Sequence, residues 1–216
     1  MSESATLFQA IQANDAATVT DLIEARADLL TATSPSGLSP LLFAAYYRRP
    51  QMAALLTELG APVSAFEAAA TGSGLHLESA LQANPDLLHA FSPDGFTLLG
   101  LCAFFGHEAE ARMLLALGAD PNTVSQNAML VAPLHSAAAG NHTALARMLL
   151  EAGATPDAAQ HGGFTPLHSA AQNGNTDLVK LLLARGADPA ARTDAGDDAL
   201  ALAVEGGHDE AAALLR

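Results

Sequence analysis

One stretch of this chain is copied at a fixed interval, and that limits the fold more than composition does. The segment Gly163-Phe164-Thr165-Pro166-Leu167-His168-Ser169-Ala170-Ala171-Gln172-Asn173-Gly174 leads through Leu178, Leu181 and Leu182 to Gly186-Ala187. Moved back 33 positions, Pro166-Leu167-His168-Ser169-Ala170-Ala171 falls on Pro133-Leu134-His135-Ser136-Ala137-Ala138, and Gly186-Ala187 falls on Gly153-Ala154. Moved forward 33, Leu167 meets Leu200 and Gly174 meets Gly207. Such self-similarity marks one supersecondary unit used repeatedly. A single unit cannot bury its apolar face, so neighbours stack and the core runs through all of them.

The N-terminal half repeats at 58 positions instead. Gly60-Ala61 pairs with Gly118-Ala119, Asp28-Leu29-Leu30 with Asp86-Leu87-Leu88, Ser34-Pro35 with Ser92-Pro93, Gly37 with Gly95, and Phe8 with Phe66. The unit there is two hairpins, one of them shortened. The spacing predicts about seven helical hairpins in one domain spanning 1–216, at 6–33, 34–63, 64–91, 92–122, 123–158, 159–191 and 192–216. Leu99 and Leu134 stand 35 apart, so the 120–133 connection carries two extra residues.

Each repeated residue has a physical task. The Thr165 hydroxyl suits a helix N-cap, and Pro166 suits the first helical position, where no amide donor is needed. Ala170 and Ala171 are small enough for hairpins to approach closely. Gly174 permits a reversal between helices, Leu178, Leu181 and Leu182 form a buried stripe, and Gly186 suits a left-handed helix end. These residues resemble the ankyrin repeat, whose Thr-Pro-Leu-His-x-Ala signature is complete from Thr165 to Ala170. The resemblance covers essentially the whole chain. It implies an all-α ankyrin-repeat solenoid with capping ends and a non-catalytic role in binding other proteins.

The departures from the signature carry expectations too. Asn141 replaces the inter-helix glycine and tolerates left-handed backbone. Leu98 and Gly100 stand in place of proline and histidine, which predicts a weaker helix start. Arg48, Arg49 and Pro50 replace the Gly-His pair, which predicts a different turn. Asp198-Ala199-Leu200-Ala201 replaces the signature in the last hairpin, as in a capping repeat.

Composition narrows the function. Half the residues are hydrophobic but only 5% are aromatic, and there is no Trp, which fits closely packed helices with small side chains. A net charge of −14 opposes binding to nucleic-acid phosphate or anionic membranes and favours a protein partner with a basic surface, met by a soluble monomer. The single cysteine, Cys102, excludes an internal disulfide. The acidic start, Met1-Ser2-Glu3, does not read as a signal peptide, and no apolar run is long enough to span a bilayer. The cytoplasm is the expected compartment.

Candidate chemistry is sparse. The resemblance gives His135 and His168, and the turn residues His107, His142 and His208, structural roles. His76, His89 and His161 are irregularly placed, and a zinc site needs about four converging ligands, so no metal and no cofactor is expected. Cys102 aligns with Ala137 and Ala170 as a small core residue. Gly72-Ser73-Gly74 lacks the Lys-Ser/Thr of a phosphate loop and reads as a turn. Asp197-Asp198 and Asp209-Glu210 read as solvated cap surface. Ankyrin proteins bind partners through hairpin tips and the exposed, concave side of the first helices. At those positions stand Leu38, Tyr46, Tyr47, Phe96, Phe104, Phe105, Met129, Val131, His161, Phe164, Gln172 and Asn173. Six of the ten aromatic residues fall there, and aromatics are efficient interface anchors. The alternatives are an acidic decoy or secreted effector that inhibits a basic target, and a small-molecule-binding protein.

Overall fold

The computed structural model describes residues 2–216 and divides into two compact units, residues 2–87 with 92–94 and residues 88–91 with 95–216. The first unit holds α1 (Glu3–Ala13), α2 (Ala16–Ala25), α3 (Pro40–Tyr46), α4 (Pro50–Glu58), α5 (Ala65–Thr71) and α6 (Gly74–Ala83). The second holds α7 (Leu98–Phe105), α8 (Glu108–Ala116), α9 (Pro133–Ala139), α10 (Thr143–Glu151), α11 (Pro166–Gln172), α12 (Thr176–Ala184), α13 (Ala199–Glu205) and α14 (Asp209–Leu214). Short 3-10 turns lie at Ala27–Thr31, Pro85–His89 and His161–Gly163. No strand occurs among the described residues, only isolated antiparallel bridges at Phe91–Thr97 and Arg192–Asp198. The fold class is all-α, as the repeat predicts.

Consecutive helices pack in pairs, and every pair is closed by the same turn. An amide just past the first helix donates to a carbonyl five residues back: Asp15 to Ala10, Arg49 to Ala44, Ser73 to Ala68, His107 to Cys102, His142 to Ala137, Asn175 to Ala170 and His208 to Ala203. The residue before each donor is left-handed, with φ of +60° at Asn14, +52° at Arg48, +72° at Gly72, +83° at Gly106, +60° at Asn141, +66° at Gly174 and +71° at Gly207. The turn at Arg48 therefore does not differ from the others, contrary to the sequence expectation. Arginine adopts there the conformation that glycine adopts elsewhere, at a steric cost of about 1–2 kcal/mol.

The acceptor residue is alanine throughout except for Cys102, and all seven are buried. Small side chains here let neighbouring first helices approach. Leucines of the second helices, among them Leu56, Leu114, Leu149 and Leu182, complete the core. Each contributes about 1.5–3 kcal/mol by leaving water.

The helix starts are well made, including the one expected to be weak. At α7 the Thr97 hydroxyl oxygen accepts the Gly100 amide at 3.0 Å, and Leu98, in the proline position, is fully buried. Helix α1 begins at Glu3, ahead of the expected position 6, because the Ser2 hydroxyl caps it by accepting the Ala5 amide at 3.2 Å. At α11 the His168 ring lies inside the fold. Its Nδ1 accepts from the Thr165 amide at 3.1 Å, and its Nε2–H donates to the Ala191 and Asp197 carbonyls. His135 does the same at α9, accepting from the Ala132 amide and donating to the Phe164 carbonyl. Glu67 takes this slot in α5, where its buried carboxylate accepts from the Ser64 amide at 3.0 Å and the Ser39 hydroxyl at 2.7 Å.

Candidate functional site

The loops that precede the first helices form hairpin tips, closed by bonds from Ser34 to Leu38, Gln160 to Phe164 and Thr193 to Asp197. In the 120–133 connection the closing bond runs from Ser125 to Val131, so the two extra residues are spent at the tip itself. In the second unit the tips are linked in series by backbone bonds, Gln126 to Gly95 at 2.8 Å, His161 to Met129 at 3.0 Å and Asp194 to Gly162 at 2.8 Å.

This framework fixes the extended tip. The Ser125 hydroxyl donates to Asn127 Oδ1 at 2.8 Å and accepts the Val131 amide at 2.8 Å, while Asn127 Oδ1 also accepts the Met129 amide at 3.1 Å. Polar groups thus tie down the base, and the apolar side chains of Met129 and Leu130 are left 47% and 48% exposed. Leu130 has φ +51°, an uncommon backbone for a branched side chain. Val131 is half-buried. Leu130 completes the apolar run Met129-Leu130-Val131, which in sequence reads as either a binding tip or a plug over the core.

The aromatic candidates fall into separate groups. In the first unit Tyr47 is 41% exposed and rests on Phe43, with ring centroids 4.6 Å apart, and Phe43 in turn meets Phe8 edge-on at 4.9 Å. Tyr46 is half-buried, and its phenol donates to Asp94, which also accepts the Ser92 hydroxyl at 2.5 Å. Burial, reinforced by that carboxylate, pushes the Tyr46 phenol well above its ordinary value. Leu38 is buried at the base of its tip. Its apolar side chain faces the core, and it drops out of the exposed set expected from sequence.

In the second unit Phe96, Phe104 and Phe105 are each half-buried and lie in one cluster. Phe104 meets Phe105 edge-on at 5.0 Å, and Phe96 at 6.5 Å. Phe105 stacks on His107 at 6.2 Å. Phe164 is half-buried against the His168 ring at 5.5 Å, whereas His161, Gln172 and Asn173 are exposed. Asn173 spans toward α9 by donating to the Ala138 and Ala139 carbonyls.

The other histidines and the thiol serve packing. The His142 ring covers Gly106, and the His208 ring covers Gly174 while bonding to the Gln172 carbonyl at 3.0 Å. Burial holds His135 and His168 below the usual histidine range. Cys102 is buried, and burial pushes its thiol up, with the Glu110 charge adding to the effect. Among the described residues no group of three or more His, Cys, Asp or Glu is placed to hold a metal ion. Among them, too, no helix is long and apolar enough to cross a membrane.

Comparison with curated proteins yields no match. The family model described as ankyrin repeats (3 copies) matches residues 65–160, 99–193 and 134–216. These windows take in α5 to α14, and the inter-helix turn found there recurs in α1 to α4. The chain belongs to the ankyrin-repeat family, whose members are generally protein–protein interaction modules.

Proposed function

We propose that this chain is a non-catalytic recognition module. It holds a protein partner against its hairpin tips and the exposed faces of its first helices. In the second unit the surface comprises Met129, Leu130 and Val131 at the extended tip, His161 and Phe164 at the next, and Phe105, Gln172 and Asn173 at the helix ends. Tyr46 and Tyr47 offer a smaller patch in the first unit.

The observation that carries this reading is the extended tip. Two large apolar side chains stand in water on a backbone tied down by side-chain and inter-tip hydrogen bonds. A preorganised loop loses little further freedom on binding, so more of its contact energy appears as affinity. Residues 121–146 contain no Asp, Glu, Lys or Arg, so the contact made here is apolar. The charge of −14 carried elsewhere supports a partner with a basic surface and a monomeric working state. The buried lone cysteine is compatible with the cytoplasm.

Affinity purification from the native organism tests this with wild type and a Met129→Ser/Leu130→Ser double variant. Proteins retained by wild type should be lost about tenfold or more by the variant, as expected when two exposed anchors go, with the melting midpoint unchanged. Undiminished capture removes the tip from the site. A parallel fall in melting shows that the two side chains serve the core.

A further inference from the structure

In the second unit α11 and α12 are covered by the pair that follows, α13 and α14. This buries Leu167, His168, Ala171 and Leu181. The residues 33 positions on are Leu200, Ala201, Val204 and Leu214, all apolar. Here those register positions are open. Val204 is 58% exposed and Leu214 37%, Ala201 is exposed and Leu200 half-buried. Leu200 and Val204, four apart on α13, share one side of that helix.

Exposed acids adjoin this face. Glu205 follows Val204 directly and stands four residues from Ala201, and Glu210 stands four residues before Leu214 on α14. Tip chemistry sets this end apart as well. Where the earlier tips pass a hydrogen bond to the next, the Gly196 carbonyl of the last tip accepts from the Arg192 guanidinium at 2.6 Å, which also reaches Asp198 at 3.2 Å. A second copy meeting this face through its own α13 and α14 would set like charges together.

We propose that the open face of α13 and α14 docks an amphipathic helix of a partner protein, apolar on one side and flanked by lysine or arginine. The apolar stripe fills the positions that a following hairpin fills in the interior, and the basic flanks meet Glu205 and Glu210. The site uses none of the residues of the extended tip, so the two surfaces can be tested separately.

The probe is a synthetic helical peptide of about 15 residues, long enough to hold some helix alone, with a leucine face and lysine flanks. A scrambled peptide of the same composition is the control. The amphipathic peptide should slow amide exchange across residues 199–214, and the scrambled one should not. Val204→Asp should weaken binding about tenfold or more, the range expected for one buried aliphatic contact, with Leu214→Gln as an independent second variant. Both side chains are exposed, so melting should be unchanged. A Glu205→Lys/Glu210→Lys variant should bind more weakly and with less dependence on salt. Equal binding of the scrambled peptide, or indifference to both apolar variants, overturns the proposal. So does self-association of the chain that Val204→Asp abolishes, because the occupant is then a second copy.

Discussion

His168 and His135 show how single side chains join successive hairpins, and their protonation makes that joint sensitive to acid. In the fold each ring is neutral, with Nδ1 accepting and Nε2–H donating. Burial lowers both pKa values. In the unfolded chain histidine takes up a proton near pH 6.5. Below that pH the unfolded state binds more protons, so stability is lost as pH falls through the folded-state values and is fully present above about 6.5. Denaturant unfolding between pH 5 and 7 should show this decline, and a His135→Gln/His168→Gln variant should be less stable at pH 7 and flatter across the range. Arg48, at φ +52°, gives a second prediction. Arg48→Gly should stabilise by about 0.5–1 kcal/mol, as the strain relieved exceeds the added chain entropy, read as a rise in the denaturant midpoint. Cys102 should label slowly in the native protein and quickly once unfolded, since burial both hides its thiol and disfavours the thiolate. The burial of Cys102 was legible in sequence because it occupies an alanine position of the repeat. The turn at Arg48 was not, because residue preference suggested a change of geometry, whereas stacking of the pair imposes the common one.

Helices and tips were legible to different degrees for a physical reason. The repeat sets where each helix must start and reverse, so the hairpin at α11–α12 and the two inserted residues before Pro133 follow from spacing. The direction of a side chain at a tip depends on neighbouring tips that lie far away in sequence. Leu38 therefore could not be told from Val131 or Phe96, although it is buried and they are half-buried. The series of inter-tip bonds makes a prediction at Gly95. A Cβ there would lie 2.9 Å from the Asn127 amide, and φ is +87°. Gly95→Ala should destabilise by about 1–3 kcal/mol and speed amide exchange at Gln126. At the other end of the second unit, residues 186–216 hold seven acids and two basic residues. The Asp198 carboxylate caps α13 by accepting the Ala201 amide at 2.9 Å, so this helix start is sound despite its missing signature. Repulsion among the acids remains. Amides of α13 and α14 should exchange faster than those of α9 to α12, and added salt should narrow the difference. Equal, salt-insensitive protection would show that the cap offsets the charge.

Across the chain as a whole, 23 acidic residues face nine Lys and Arg, yet residues 121–146 are free of all four charged types. Such a charge favours dispersion of an alanine-rich chain and encounter with basic surfaces, and on the proposed reading the neutral stretch is a place where apolar contact meets no long-range repulsion. Family membership follows from the repeat alone, because stacking fixes the buried positions. The identity of the partner does not, because the exposed positions are free of that constraint. Amide exchange of the full chain, measured alone and with a protein captured by it, decides whether the tips and first helices are the recognition surface. Binding through them predicts slowed exchange at residues 125–131 and 160–164 and at the ends of α7 and α11, with the exposed sides of α8, α10 and α12 unchanged. Protection confined to those second helices, with the tips exchanging as in the free protein, would contradict it.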